Sequence, residues 1–207
     1  RIAKQVLEQA LAQRGKLPEP ASIALSTLSQ IYLERNELDR AESYLTQALE
    51  VDPNPTSSNM LVQIAIQRTQ MKIAQGNFPE ALANIQAIRE LHRRRPSGVW
   101  TDRDLLVYEA FIYIHMGDAL SAERILDDAV DSGDHGLTQL ARAELLLLKK
   151  QPEAAETQLS DLIAKYPDGI VAEPLMRLRL LLAKSMFDQH KIHQALQVMK
   201  DAIRLAA

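Results

Sequence analysis

The sequence predicts an all-α chain built from stacked helical hairpins, and three observations carry that prediction. Glycine and proline together number 16 in 207 residues, about 8% against a usual level of about 12%. That leaves too few turns for a β protein. Apolar residues recur with a helical period. In 37–50 the stripe is Leu38, Ala41, Leu45, Ala48 and Leu49, one face of a helix. A motif repeats along the chain: Asn36-Glu37-Leu38-Asp39-Arg40-Ala41, Gly76-Asn77-Phe78-Pro79-Glu80-Ala81 and Gly117-Asp118-Ala119-Leu120-Ser121-Ala122 align on a closing alanine. Weaker copies end at Ala155 and Ala195, and Ala3 supplies the first. Spacings of 33–41 residues between these alanines mean hairpins that bury their apolar faces only against neighbours.

The breakers order the elements. Gly15, Pro18 and Pro20 close an N-terminal half-repeat over 1–21. Pro53 and Pro55 close a repeat over 22–60, and Pro96 with Gly98 one over 61–100. Gly133 closes 101–134, Pro167 and Gly169 fall within 135–172, and 173–207 is last. Segments of about 12 to 19 residues lie between breakers, the ordinary helix range, and about eleven helices are expected. Strand-type alternation is not convincing anywhere.

Composition excludes several chemistries. The 24 basic and 27 acidic residues give a net charge of −3, without the basic stripe of a nucleic-acid binder. With no cysteine, disulfides, thiolate zinc sites and a cysteine nucleophile are ruled out. No apolar run approaches the roughly 18 residues that span a bilayer, and residues 1–15 lack a signal-peptide pattern. A soluble, cytoplasmic chain is expected. Its first residue is not Met and falls within a helical pattern, as expected of a piece of something longer.

The repeat resembles the tetratricopeptide pattern. The best copy, 22–53, carries Leu25, Leu28, Ser29, Tyr32, Ala41, Leu45, Ala48 and Pro53 at that family's consensus places. Small residues at Ser29, Ala41 and Ala48 let backbones approach, Tyr32 and Leu45 fill the gap between hairpins, and Pro53 ends the second helix. The resemblance implies a right-handed superhelix, an α-solenoid of about five to six hairpins. The longer period, with Tyr32-Leu33-Glu34-Arg35-Asn36-Glu37-Leu38-Asp39-Arg40-Ala41-Glu42, Lys72-Ile73-Ala74-Gln75-Gly76-Asn77 and the arginine-rich stretch before Pro96 and Trp100, is similar to the helical-repeat region of MalT-like regulators. These are ATP-dependent transcription activators of the bacterial LuxR group. Arg35 departs from the aromatic found there in many relatives. The resemblance implies an effector-sensing, protein-interaction and oligomerisation domain. Its NTPase and helix-turn-helix neighbours would lie outside this chain.

The residues agree that those activities are elsewhere. The sole Gly-Lys pair, Gly15-Lys16, has no upstream glycine and is followed by Leu17, so there is no phosphate-cradling loop. No cofactor is expected in this chain, and ATP only in a separate domain. His190 and His193 with Asp188 straddle a predicted turn and read as a solvated connector rather than a metal site. Asp127, Asp128, Asp131, Asp134 and His135 lack calcium-loop spacing. The run His92-Arg93-Arg94-Arg95 complements a helix C-terminus. No nucleophile, base and orienting group recur at meaningful spacing, so an enzyme is not expected.

Repeat geometry points to a concave face lined by first helices. Its inner positions are Gln30 and Glu34, then Gln63, Gln67 and Gln70, then Asp104, Tyr108, Phe111 and His115, and finally Arg177, Lys184 and Asp188. The core stripe beside the third set is expected at Leu106, Ala110 and Tyr113. Rings among amides and acids suit a sugar or a peptide. The alternative is that Tyr108 and Phe111 pack as core. The expected partners are a small-molecule inducer, a sugar among the candidates, or a partner protein, with self-association compatible. No direct nucleic-acid or membrane contact is expected. A free-standing scaffold for a partner protein or peptide is the competing reading. It lacks the carboxylate clamp of chaperone-binding relatives, because Ser26 and Gln30 occupy those places.

Overall fold

The computed structural model describes residues 18–52, 58–94, 102–129, 136–165 and 175–206. These hold ten α-helices and no strand: α1 (Pro18–Glu34), α2 (Leu38–Val51), α3 (Ser58–Ala74), α4 (Phe78–Arg94), α5 (Asp102–Met116), α6 (Ala119–Asp128), α7 (Gly136–Leu148), α8 (Pro152–Lys165), α9 (Leu175–Asp188) and α10 (Ile192–Ala206). The expected half-repeat at 1–17 lies outside the described residues. So do Pro53, Pro55, Pro96, Gly98, Trp100, Asp131, Asp134, His135, Pro167 and Gly169. Pro18 and Pro20 are the first and third described residues of α1.

The helices pair through one recurring turn. Its central residue is left-handed in all five copies: Asn36, Gly76, Gly117, Lys150 and His190, with φ between 57° and 81°. In the first copy Asn36 N donates to Leu33 O and Glu37 N to Tyr32 O, at 2.9 and 2.8 Å. The same pair of bonds closes the turns at Gly76, Gly117, Lys150 and His190, satisfying carbonyls that a helix end leaves open. Five residues after each left-handed residue stands the recurring alanine, 41, 81, 122, 155 or 195. Its N–H donates to the residue four before it, the first bond of the second helix. All five alanines are buried. The left-handed conformation favours glycine. Asn tolerates it, whereas Lys150 and His190 hold it without that advantage.

The chain divides into two compact units, Arg1–Leu105 and Leu106–Ala207. In the first, hairpins α1–α2 and α3–α4 pack with α1 against α3 and α2 against α3. Their core joins Leu25, Ala41, Leu45 and Ala48 to Met60, Ile64 and Met71, flanked by Tyr32, Leu33, Leu38, Tyr44 and Leu49. Ser29 is fully buried, as a close helix crossing requires. In the second, α7 packs on α6, α8 and α9, and α9 packs on α8 and α10. Within each unit, neighbouring hairpins thus lean on one another.

Helix α5 corrects one expectation. Leu106 and Tyr113 are only partly buried, while Leu105, Val107, Tyr108, Ala110, Phe111, Ile112 and Ile114 are all buried. Buried apolar side chains occupy more than one side of the helix, and Leu106, Glu109 and Tyr113 line its partly exposed side, so the single-stripe assignment fails.

Candidate functional site

The inner positions of the first unit form a polar seam. Gln67 of α3 is buried and locked to α1. Ser26 Oγ donates to its Oε1, and its Nε2 donates to Ser26 O, both at 3.2 Å. Ser22 Oγ donates to Ala48 O at 3.0 Å. Gln63 and Gln70 are half-buried, and Gln70 Oε1 is a buried acceptor without a hydrogen-bond partner. Gln30 is spent within its helix, with Nε2 donating to Glu34 Oε1 at 3.3 Å. Asp104, at the start of α5, is buried.

In the second unit the inner positions of three first helices meet. Tyr108 and Phe111 are each 3% exposed and contact edge to face, with centroids 6.2 Å apart and planes at 60°. The Arg177 guanidinium of α9 lies 5.0 Å from the Phe111 ring centroid. The same guanidinium donates to Glu144 Oε1 of α7, from Nη2 at 2.7 Å and from Nε at 3.1 Å. Glu144 is buried, and a buried carboxylate needs such a charge-assisted pair. Phe111 and Glu144 each stand six residues before their left-handed turn residue, Gly117 and Lys150, whereas Arg177 stands thirteen before His190, the place that Asp104 takes before Gly117. The burial removes Tyr108, Phe111, Gln67 and Asp104 from any open groove in this conformation; of the two readings of Tyr108 and Phe111, the packing is that of core, with Arg177 over the Phe111 ring.

The other expected residues lie apart from that row. His115 is exposed, and its Nδ1 stands 2.8 Å from Phe111 O, the geometry of an N–H given to its own helix. Lys184 Nζ pairs with Asp188 Oδ2 of the same helix at 2.7 Å. His190 stands in the last hairpin turn and His193 on α10. Among the described residues no three His, Asp or Glu side chains converge to hold a metal. A cleft of about 460 Å³ is lined by Lys150, Pro152, Phe187, Asp188, His190 and Ile192.

Sequence reasoning missed Glu144 and a second recurring feature. The residue after the recurring alanine is an acid in three copies, and each reaches a cation of the next hairpin. Glu42 pairs with Arg68 at 3.2 Å, Glu123 with Lys149 at 2.7 Å and Glu156 with Lys191 at 2.8 Å. The Lys191 ammonium holds the Glu156 carboxyl below the usual carboxylate range, with Gln189 adding to it against partial burial. The 33-residue step was the signal for Glu144.

Comparison with known proteins decides the family. The model for the MalT-like TPR region matches residues 1–207. The chain belongs to the MalT-like TPR region family. This MalT-like TPR region also resembles a solved tetratricopeptide repeat protein from Parabacteroides merdae, with TM-score 0.51 and 17% identity. That likeness covers 97% of this chain and 71% of the other, and at this identity it speaks for the fold alone. No curated protein matches the chain. No described helix of this MalT-like region is long and apolar enough to cross a membrane.

Proposed function

We propose that this chain is the effector-receiving and protein-interaction module of a bacterial LuxR/MalT-like transcription regulator. The carrying observation is the row Phe111–Glu144–Arg177, in which one guanidinium of α9 joins inner side chains of α5 and α7. A row of this kind is a two-state element. In the closed state Arg177 covers the Phe111 ring and neutralises Glu144. An effector that lifts Arg177 gains an aromatic face for stacking and a carboxylate for hydrogen bonding, a combination suited to a polyhydroxylated ligand. Such a ligand shifts the equilibrium only by its differential affinity for the two states. Small rotations between hairpins would carry that shift along the stack. Cytoplasmic location and the absence of catalysis belong to this reading, with ATP turnover and DNA binding left to other domains.

A thermal-shift titration of the chain with neutral saccharides and small polar metabolites tests it. A ligand selective for the folded chain raises the melting temperature with concentration. The effect should vanish in Phe111→Leu. A panel without any stabiliser, or a stabiliser indifferent to Phe111, contradicts the small-molecule reading.

A further inference from the structure

We infer that the ligand received by the inner row carries a positive charge: an ammonium or guanidinium group that takes the place of Arg177 over Phe111 and against Glu144. The inference rests on the effector reading above and narrows its ligand. Glu144 is 8% exposed. Arg177 is the cation set against it, with Nη2 and Nε both donating to Oε1. Lifting that guanidinium without replacing its charge leaves a buried carboxylate uncompensated, and removing one partner of a buried pair is strongly destabilising. A hydroxyl offers the carboxylate a hydrogen bond but no charge. An ammonium or guanidinium supplies both. The ring makes the same demand. The Arg177 guanidinium stands 5.0 Å from the Phe111 centroid, within the roughly 6 Å over which a cation is drawn to an aromatic face. Tyr108 contacts that ring edge to face and holds it in place.

The repeat register shows that the fold does not require these two charges. Six residues before the left-handed turn residue stand Gln30, Gln70, Phe111, Glu144 and Lys184, and Glu144 is the one acid among them. Thirteen before it stand Ile23, Gln63, Asp104, Leu137 and Arg177, and Arg177 is the one cation. The first unit stacks α1 on α3 with Ile23, Gln30, Gln63 and Gln70 at these places, and its buried cross-helix pair, Ser26 with Gln67, is neutral. Well-packed apolar side chains in place of a buried ion pair often serve stability as well or better. The charges therefore suit a place that holds and releases a cation, with Glu144 the fixed acceptor and Arg177 the resident that a ligand displaces. Arg177 keeps 33% of its side chain exposed, so an entering group reaches it from solvent. Being tethered, Arg177 competes at an effective concentration on the order of millimolar, so charge alone does not displace it. The ligand must add contacts, and hydroxyl groups beside the cation would supply them. An amino sugar has this combination; a neutral sugar has half of it.

The test first removes the resident cation from the 207-residue chain. Ethylguanidinium should raise the melting temperature of Arg177→Ala at a concentration about tenfold or more below that at which its neutral isostere, ethylurea, gives an equal shift. The parent chain in the same solutions controls for denaturant action. Adding Glu144→Gln to Arg177→Ala should abolish the preference for the cation. The second arm uses the parent chain with glucosamine, galactosamine and mannosamine against their uncharged N-acetyl counterparts. At least one amino sugar should stabilise at a concentration about tenfold or more below its counterpart, and Glu144→Gln should erase that difference. If Arg177→Ala fails to fold, the parent arm still decides. An equal response of Arg177→Ala to ethylguanidinium and ethylurea overturns the inference. Stabilisation of the parent by neutral sugars through Phe111, with no advantage for any amino sugar, also overturns it and leaves the effector reading standing. A parent chain that neither class stabilises overturns both.

Discussion

At the residue scale the turn residues and the inner row make separable demands. Lys150 and His190 hold the left-handed conformation that glycine holds at 76 and 117. A side chain there costs about 1–2 kcal/mol, while glycine loosens the unfolded chain by roughly 0.4–1 kcal/mol. Lys150→Gly should therefore stabilise the protein by about 0.5 kcal/mol or more. Gly117→Ala should destabilise it, though no atom stands within 4 Å of the added Cβ. Urea denaturation midpoints check both. Phe111 is buried under Arg177, so Phe111→Ala should cost about 3–5 kcal/mol, the range for a truncated core phenylalanine. A loss well below that would mean the ring is not core.

The residue scale is also where the sequence was hardest to read. The repeated alanines were legible because a close helix crossing admits only small side chains, and the spacing betrays the crossing. Tyr108 and Phe111 were placed on inner helix positions, with their depth left open between groove and core. A helix apolar on several sides carries no periodic signal that separates an open inner face from core. Glu144 was overlooked as one acid among many. Its distinction is the guanidinium that meets it from a helix 33 residues away, a fact of packing rather than of local pattern.

At the element scale each described second helix enters under an alanine, and three of the five are tied forward by a carboxylate. Overpacking the crossing should cost about 1–3 kcal/mol in Ala41→Leu, Ala81→Leu and Ala155→Leu. Ala83→Leu, on the exposed side of α4, should cost little. Equal effects at 81 and 83 would mean that the register is wrong. The carboxylates give the pH response. Lys191 lowers the Glu156 pKa, Lys72 that of Glu80, and the hydroxyl and N–H of Ser121 that of Asp118. A depressed carboxylate contributes stability above its unfolded pKa and loses it as pH falls through its folded value. Melting temperature should hold near neutrality and decline below the ordinary carboxylate range. Glu156→Gln should flatten part of that decline. A variant whose acid limb matches the parent's would remove Glu156 from the explanation.

At the scale of the whole molecule, sequence and structure converge on a helical repeat domain of the MalT-like TPR region family. In the proposed reading, the contact of Arg177 with Phe111 and Glu144 is its closed state. Its balanced charge argues that duplex DNA should not bind the isolated chain at physiological salt, because phosphate contacts dominate such affinity. Electrophoretic shift assays across salt concentrations check this. The most direct test of the central claim is amide hydrogen exchange on the chain with and without a stabilising effector from the thermal-shift panel. New protection should concentrate in α5, α7 and α9, around Phe111, Glu144 and Arg177. Protection confined to the second helices, with those three segments unchanged, would contradict the assignment of the inner row as the receiving surface.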